Sequence, residues 1–165
     1  MPTTAVTLNR DDMFVRNRLV DELSSRRTAL GYSQRDMADA VGVTRNSVMT
    51  LERRRPANPR VATLTTYGQA LRLELTIAFA GLPVVSCPYA DLLFAGGFLG
   101  ESLVARLRAT RTHMGVTRQG IADSHGWQMQ AVAAFENSAG MPMLAQLQRY
   151  ARVHGGRLDA RWLTC

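Results

Sequence analysis

The polar and apolar positions of "SQRDMADAVGVTRNSVMTLERRR" (33–55) spell two short helices with a break between them. Met37, Ala38 and Val41 recur at three- and four-residue spacing, which marks one buried helical face. Val48 and Leu51 do the same in the second run. Ser33 and Thr44 stand where N-caps belong, each with a hydroxyl that can accept from free backbone N–H groups. Gly42 suits the left-handed turn that ends a helix, and Val43 is expected to plug the corner. Two short helices joined by a tight glycine turn make a helix-turn-helix. A different pattern occurs twice. "LRLELTIAF" (71–79) has the period-two, β-branched look of a strand. "GGRLDARWL" (155–163) alternates Leu158, Ala160 and Trp162 on one side.

The polar face of the second helix carries the candidate chemistry. Arg45, Asn46, Ser47 and Thr50 are left outside, at the N-terminal end that such a motif pushes into the DNA major groove. Arginine can pair bidentately with guanine and asparagine with adenine. Arg53, Arg54 and Arg55 follow at once and form a phosphate clamp or, alternatively, a solvated loop. The expected base-reading set is Gln34, Arg45, Asn46, Ser47 and Thr50; the expected phosphate set is Ser33, Thr44, Arg53, Arg54 and Arg55. Glu52 is expected to serve the motif's own structure.

Ser33, Gln34, Met37, Ala38, Gly42, Val43, Thr44, Val48, Leu51 and Glu52 fall in the register of a known pattern. In them the chain resembles the Cro and lambda-repressor-like helix-turn-helix family, often called XRE. On that resemblance "LVDELSSRRTALGY" is the family's first helix, with Leu23, Arg27 and Gly31 in place. Arg26 departs from the pattern, which puts an apolar residue there. "NPRVATLTTYGQALRL" is the last helix, with Pro59, Leu64, Tyr67, Ala70 and Leu71 matching. The resemblance covers residues 19–73 and implies binding to double-stranded DNA.

The second half repeats the first. Phe14, Leu19, Val20, Leu23, Arg27, Thr28, Gly31, Ala38, Asp39, Gly42, Val48 and Glu52 recur 84 positions later, from Phe98 through Arg111 and Gly126 to Glu136. After a one-residue deletion Pro59, Leu64 and Tyr67 recur as Pro142, Leu147 and Tyr150. These identities fall where the motif needs them, so an internal duplication explains them better than chance. A lone strand would leave its backbone groups unpaired, but two related by duplication can pair antiparallel. In this the chain is similar to HipB-type antitoxins, whose helical domain is followed by one strand that pairs across a dimer. The expected fold is therefore mainly α: two lambda-repressor-like helix-turn-helix domains in pseudo-two-fold tandem, joined by a small antiparallel β-sheet. The expected divisions are a flexible arm (1–10), a first unit with its strand (11–80), a connector (81–97) and a second unit with its strand (98–165). The connector holds Pro83, Pro88 and Gly96–Gly97; it is apolar enough to pack, with a helical turn expected near Tyr89–Phe94.

The two reading heads differ. Met129, Gln130, Ala131 and Ala134 stand where Arg45, Asn46, Ser47 and Thr50 stand in the first unit. Gln130 can read adenine, and Met129 or Ala131 can touch a thymine methyl. Arg118 takes the place of Gln34 and can reach a phosphate. With Gln119 and Gln128 these form a second candidate DNA set, against the alternative that the second unit is a scaffold kept for packing.

Charge agrees with this reading. The net charge is +7, and every basic residue among the 20 is arginine, which points to a polyanion such as nucleic acid. A GC-rich genome would also produce the arginine bias. Cys87 and Cys165 make neither a disulfide framework nor a metal cluster, which suits a reduced cytoplasm. No apolar signal core opens the chain, and no apolar run is long enough to span a membrane. His113, His125 and His154 are scattered, with His125 expected at the surface of the second turn. No cofactor and no catalytic constellation is indicated. The expectation is a DNA-binding repressor or autoregulator on a non-palindromic operator. The alternatives are an antitoxin that also masks a toxin, and an anti-activator that grips a regulatory protein.

Overall fold

The computed structural model describes residues 10–53, 58–87, 99–137 and 142–164. Residues 1–9 of the expected N-terminal arm (1–10), Arg54, Arg55, Pro88, the expected turn at Tyr89–Phe94, Gly96–Gly97, Phe98 and Cys165 lie outside the described residues, while Arg10 belongs to a helix.

The first element among the described residues is a long helix, α1 (Arg10–Ala29), which starts well before the first helix that the resemblance implied. Asp11 and Asp12 occupy its first turn and Arg26 and Arg27 its last, each on the side that the helix dipole favours. Then come α2 (Gln34–Val41), α3 (Arg45–Glu52), α4 (Val61–Ala70) and β1 (Leu73–Ala80). The same order returns as α5 (Leu99–His113), α6 (Arg118–His125), α7 (Met129–Glu136), α8 (Leu144–Val153) and β2 (Arg157–Thr164).

The local signals behave as their chemistry requires. Ser33 caps α2 in a reciprocal box: its Oγ accepts from the Asp36 amide, and the Asp36 carboxylate accepts from the Ser33 amide. Gly42 ends α2 at φ +74° and Gly126 ends α6 at φ +63°, a left-handed turn open to glycine at little cost. Thr44 caps α3, accepting from the Ser47 amide. One expectation fails at this corner. Val43 is 42% exposed and plugs nothing; backbone bonds close both turns alike, Val43 N to Ala38 O and Trp127 N to Ala122 O, and only the larger Trp127 ring reaches a core partner, Phe135. Trp127, the residue at that position in the second half, is partly buried against the core.

The strands start two residues later than the alternation predicts. Leu71 is fully buried at the end of α4, and Arg72 takes a positive φ of 58° before β1 begins; Gly155 does the same at φ +75° before β2. β1 and β2 pair antiparallel, Leu73 facing Thr164 and Ala80 facing Arg157. Their inner faces bury Leu75, Ile77, Leu158 and Ala160. The register has a simple property. Ile77 faces Ala160, and 160 minus 77 is 83. At the start of α4 and α8, Arg60 forms an isolated antiparallel bridge with Met143, and 143 minus 60 is again 83. That bridge is held by two matching bonds, Val61 N to Pro142 O at 3.0 Å and Leu144 N to Pro59 O at 2.9 Å. Each contact thus joins residues at the spacing of the repeat that the sequence leads one to expect.

One core cluster runs through both halves, from Leu19, Leu23, Met37 and Leu64 across Leu75, Ile77 and Ala160 to Leu107, Ile121, Val132 and Leu147. Polar bonds tie α1 to the far half. Trp162 Nε1 donates to Leu19 O at 2.9 Å, the Arg18 guanidinium donates to Ala160 O, and Arg152 pairs with buried Asp12. The Trp162 ring lies against Gly68, where an added Cβ would collide with it.

Candidate nucleic-acid interface

α3 is positioned by what it buries. Val48 is 1% exposed and Leu51 is 7%, so the opposite face, with Arg45, Asn46, Ser47 and Thr50, is turned to solvent. Arg53, the C-cap residue, is exposed directly beyond it. A helix that presents only polar side chains from its N-terminal end can approach base edges without desolvating an apolar patch. Thr44 spends its hydroxyl on the cap and on the Ser47 hydroxyl at 2.9 Å. Ser33 is exposed at the N-terminus of α2, where backbone N–H groups gather and an anion is favoured.

Gln34 is placed differently from a free base reader. Its Nε2 donates to Glu52 Oε2 at 2.8 Å, which ties the amide to a polar network beneath α3. Arg27 closes on the same carboxylate with Nε and Nη2 at 2.6 and 3.0 Å, and the Tyr67 hydroxyl donates to it as well. Burial by itself would raise the Glu52 carboxyl; the bonds from Arg27, Tyr67 and Gln34 outweigh it and hold the group below the ordinary carboxylate range. Burial and the neighbouring carboxylate push the Tyr67 phenol well above its usual value. Glu52 therefore anchors α1, α2 and α4 to the end of α3 and stays ionised.

The second half builds the same anchor. Arg111 reaches Glu136 at 2.6 and 3.2 Å, and Tyr150 donates to the same group. Here Arg118 replaces the glutamine, its Nε 2.7 Å from Glu136 Oε2. Arg118 is thus half-committed to a buried carboxylate, and Gln119 donates to Asp123 at 2.7 Å. Gln128, the N-cap residue of α7, makes no side-chain cap bond. Gln128, Met129, Gln130, Ala131 and Ala134 are exposed and uncharged, with Met129 at 47%. The two outer faces occupy equivalent places but differ in charge.

His125 is not the surface residue that the sequence suggests. It is partly buried, Nε2 bonded to Arg149 O, with its ring 5.5 Å from Trp127. Sequence reasoning also left Arg16 and Asp12 without roles, although both are 3% exposed. The Arg–Glu–Tyr anchors did leave a signal. Arg27, Glu52 and Tyr67 are polar residues that recur, as Arg111, Glu136 and Tyr150, among mostly apolar identities.

Among the described residues no helix is long and apolar enough to cross a membrane. No group of three or more His, Cys, Asp or Glu side chains among them could hold a metal ion.

Residues 23–77 match the helix-turn-helix family model. The matched helix-turn-helix segment runs from the end of α1 through most of β1. Comparisons with curated proteins and with solved structures returned no match.

Proposed function

We propose that this chain is a sequence-specific, DNA-binding transcription regulator of the cytoplasm, acting as a repressor or autoregulator. The observation that carries it is the solvent-facing α3 surface of Arg45, Asn46, Ser47 and Thr50, flanked by exposed Arg53, on a helix-turn-helix segment in a chain of net charge +7. Arg45 and Asn46 read bases, with Ser47 and Thr50 beside them. Ser33, Thr44 and Arg53 touch phosphates, together with Arg54 and Arg55, whose place rests on the sequence alone. Gln34 joins the readers by turning its free amide oxygen outward while Nε2 stays on Glu52.

The proposal extends to the whole chain. We read it as a duplicated helix-turn-helix whose two copies form a fused pseudo-dimer. The support is that Ile77 meets Ala160 and Arg60 meets Met143, each pair 83 apart, as a two-fold axis through both contacts requires. Antiparallel strands joined in this way resemble the dimer of HipB-type antitoxins. The heads then fall about one DNA turn apart, roughly 34 Å, on two adjacent major grooves. They carry different side chains, so the operator is non-palindromic. Arg118, Gln119, Gln128, Met129, Gln130 and Ala131 face the second half-site, and the first carries more of the sequence information.

Selection of bound sites from random duplex DNA with the purified chain tests the function. An enriched motif supports it; recovery of unselected sequence contradicts it. A second reading has its own observation. The exposed face of α7 carries no charge and presents Met129, Ala131 and Ala134, which suits a protein partner such as a toxin or regulator. A stable complex that survives high salt without DNA favours that reading.

A further inference from the structure

Arg16 lies on α1, outside the matched segment, yet its side chain ends at the reading helix. The residue is 3% exposed. Its Nη2 donates to Leu51 O at 3.0 Å and to Arg53 O at 2.8 Å, and its Nη1 donates to Asn17 Oδ1 at 2.7 Å. A helix leaves its last carbonyls without intrahelical donors. At the end of α3 the Arg53 amide serves Met49 O, and Arg16 serves the carbonyl in the last turn and one beyond the helix.

The chemistry suits the place. A guanidinium at a helix C-terminus meets the negative end of the dipole. Its Nη2 alone donates to both carbonyls, so one cationic nitrogen, which an ammonium could replace, sets the direction in which the backbone leaves α3. Burial lowers the Arg16 pKa and Asp21 raises it again; the group stays charged, since a guanidinium does not lose its proton in a protein. The corresponding residue of the second half, 84 positions on, is Gly100, which has no side chain to offer the end of α7. This arginine clamp therefore belongs to the half whose reading face carries an arginine.

We propose that Arg16 is a positioning residue for DNA binding: it holds the Arg53 backbone so that the Arg53 side chain meets a phosphate. This role rests on the DNA reading of α3. It reaches the DNA only through Arg53.

Two readouts on the full chain separate it from a plain helix cap. The first needs no DNA. Trypsin cleavage of the peptide bond after Arg53, followed by mass spectrometry, should run about tenfold faster in Arg16→Met, the population cost of losing a charged hydrogen bond, and near the parent rate in Arg16→Lys. The second is the salt dependence of binding to the selected duplex. Arg16→Met should lower the log–log slope by about 0.9, one phosphate's worth. Arg53→Ala, a surface change, should lower it equally, the double variant should lower it no further, and Arg16→Lys should restore it. Should Arg16→Met not fold, Arg16→Gln, which keeps one donor, takes its place. A lowered melting temperature with an unchanged slope, or additive losses in the double variant, would overturn the proposal. A parent chain that binds no duplex removes the DNA reading and this role with it, while the proteolysis rates still show whether Arg16 holds Arg53.

Discussion

Glu52 and Glu136 offer a paired perturbation within one molecule. The Glu136 side chain is fully buried and holds Arg111, Arg118 and Tyr150. The Glu52 side chain is 7% exposed and holds one arginine, with Gln34 and Tyr67. Replacing either by glutamine keeps the shape and removes the charge. Removing one partner of a buried ion pair costs about 3–5 kcal/mol, because the charge left behind is uncompensated. Glu136→Gln strands two guanidiniums, one of them nearly buried, so its cost should lie in that range, reduced somewhat because Arg118 is 40% exposed and can turn to water. Glu52→Gln strands one guanidinium rather than two, at a carboxylate that is less fully buried. Arg27 keeps its bond to Tyr32 O as Arg111 keeps its bond to Val116 O, so the expected cost is the smaller one of replacing charged hydrogen bonds by neutral ones, about 1.5–3 kcal/mol. Urea unfolding followed by circular dichroism gives both values, with equal m-values required for the comparison. A Glu136→Gln cost within about 0.5 kcal/mol of zero, the range of ordinary surface changes, would refute the anchor argument. So would a larger cost for Glu52→Gln than for Glu136→Gln.

Arg45→Ala should weaken binding to the selected site by about 1–3 kcal/mol and relax preference at one base pair, read by fluorescence anisotropy; unchanged affinity would remove α3 as the reader. Replacing Arg53, Arg54 and Arg55 together should weaken all duplexes alike and flatten the salt slope by up to about 0.9 for each phosphate that the run neutralises; an unchanged slope would mean that the run faces solvent or protein. Gly68→Ala should cost about 1–3 kcal/mol by overpacking, because the new Cβ meets the Trp162 ring, itself held by Leu19 O; a neutral result would show that the ring gives way freely. Acid should loosen the second half first. Burial, then the charges of Arg111 and His125, lower the pKa of His154, against Glu136, which raises it. Neither nitrogen of this buried ring has a hydrogen-bond partner. A depressed folded pKa gives stability that is full above the unfolded value, about 6.5, and is lost as pH falls through the folded value. His154→Leu, the residue that Leu71 supplies in the first half, should flatten the stability profile below that pH; an unchanged profile would assign the acid loss to other groups.

The helix pair and its caps were legible because Ser33, Gly42 and Thr44 act through local backbone chemistry, which needs no knowledge of the rest of the fold. The two strands were legible from alternation, although their starts were not. Leu71 looks like a strand residue in sequence, but tertiary packing claims it for the helical core before the chain turns at Arg72. Val43 misled for a related reason: its small side chain stays outside the core, whereas the larger Trp127 at the same place in the second turn reaches Phe135. His125 looked like a surface residue because its partners, Trp127 and the Arg149 carbonyl, come from a neighbouring turn and a distant helix. Gln34 looked like a free reader for the same reason, its partner Glu52 lying 18 residues on. Arg16 was invisible as a functional residue, since nothing local marks an arginine that bonds carbonyls 35 and 37 positions away.

The fused pseudo-dimer is tested most directly by the stoichiometry and symmetry of the selected site together, with light scattering on the protein–DNA complex counting the chains. The account predicts one chain on one non-palindromic site, with two half-sites roughly 34 Å apart and the more sharply defined half facing α3. A perfect palindrome carrying two chains would contradict it and leave the second half as scaffold.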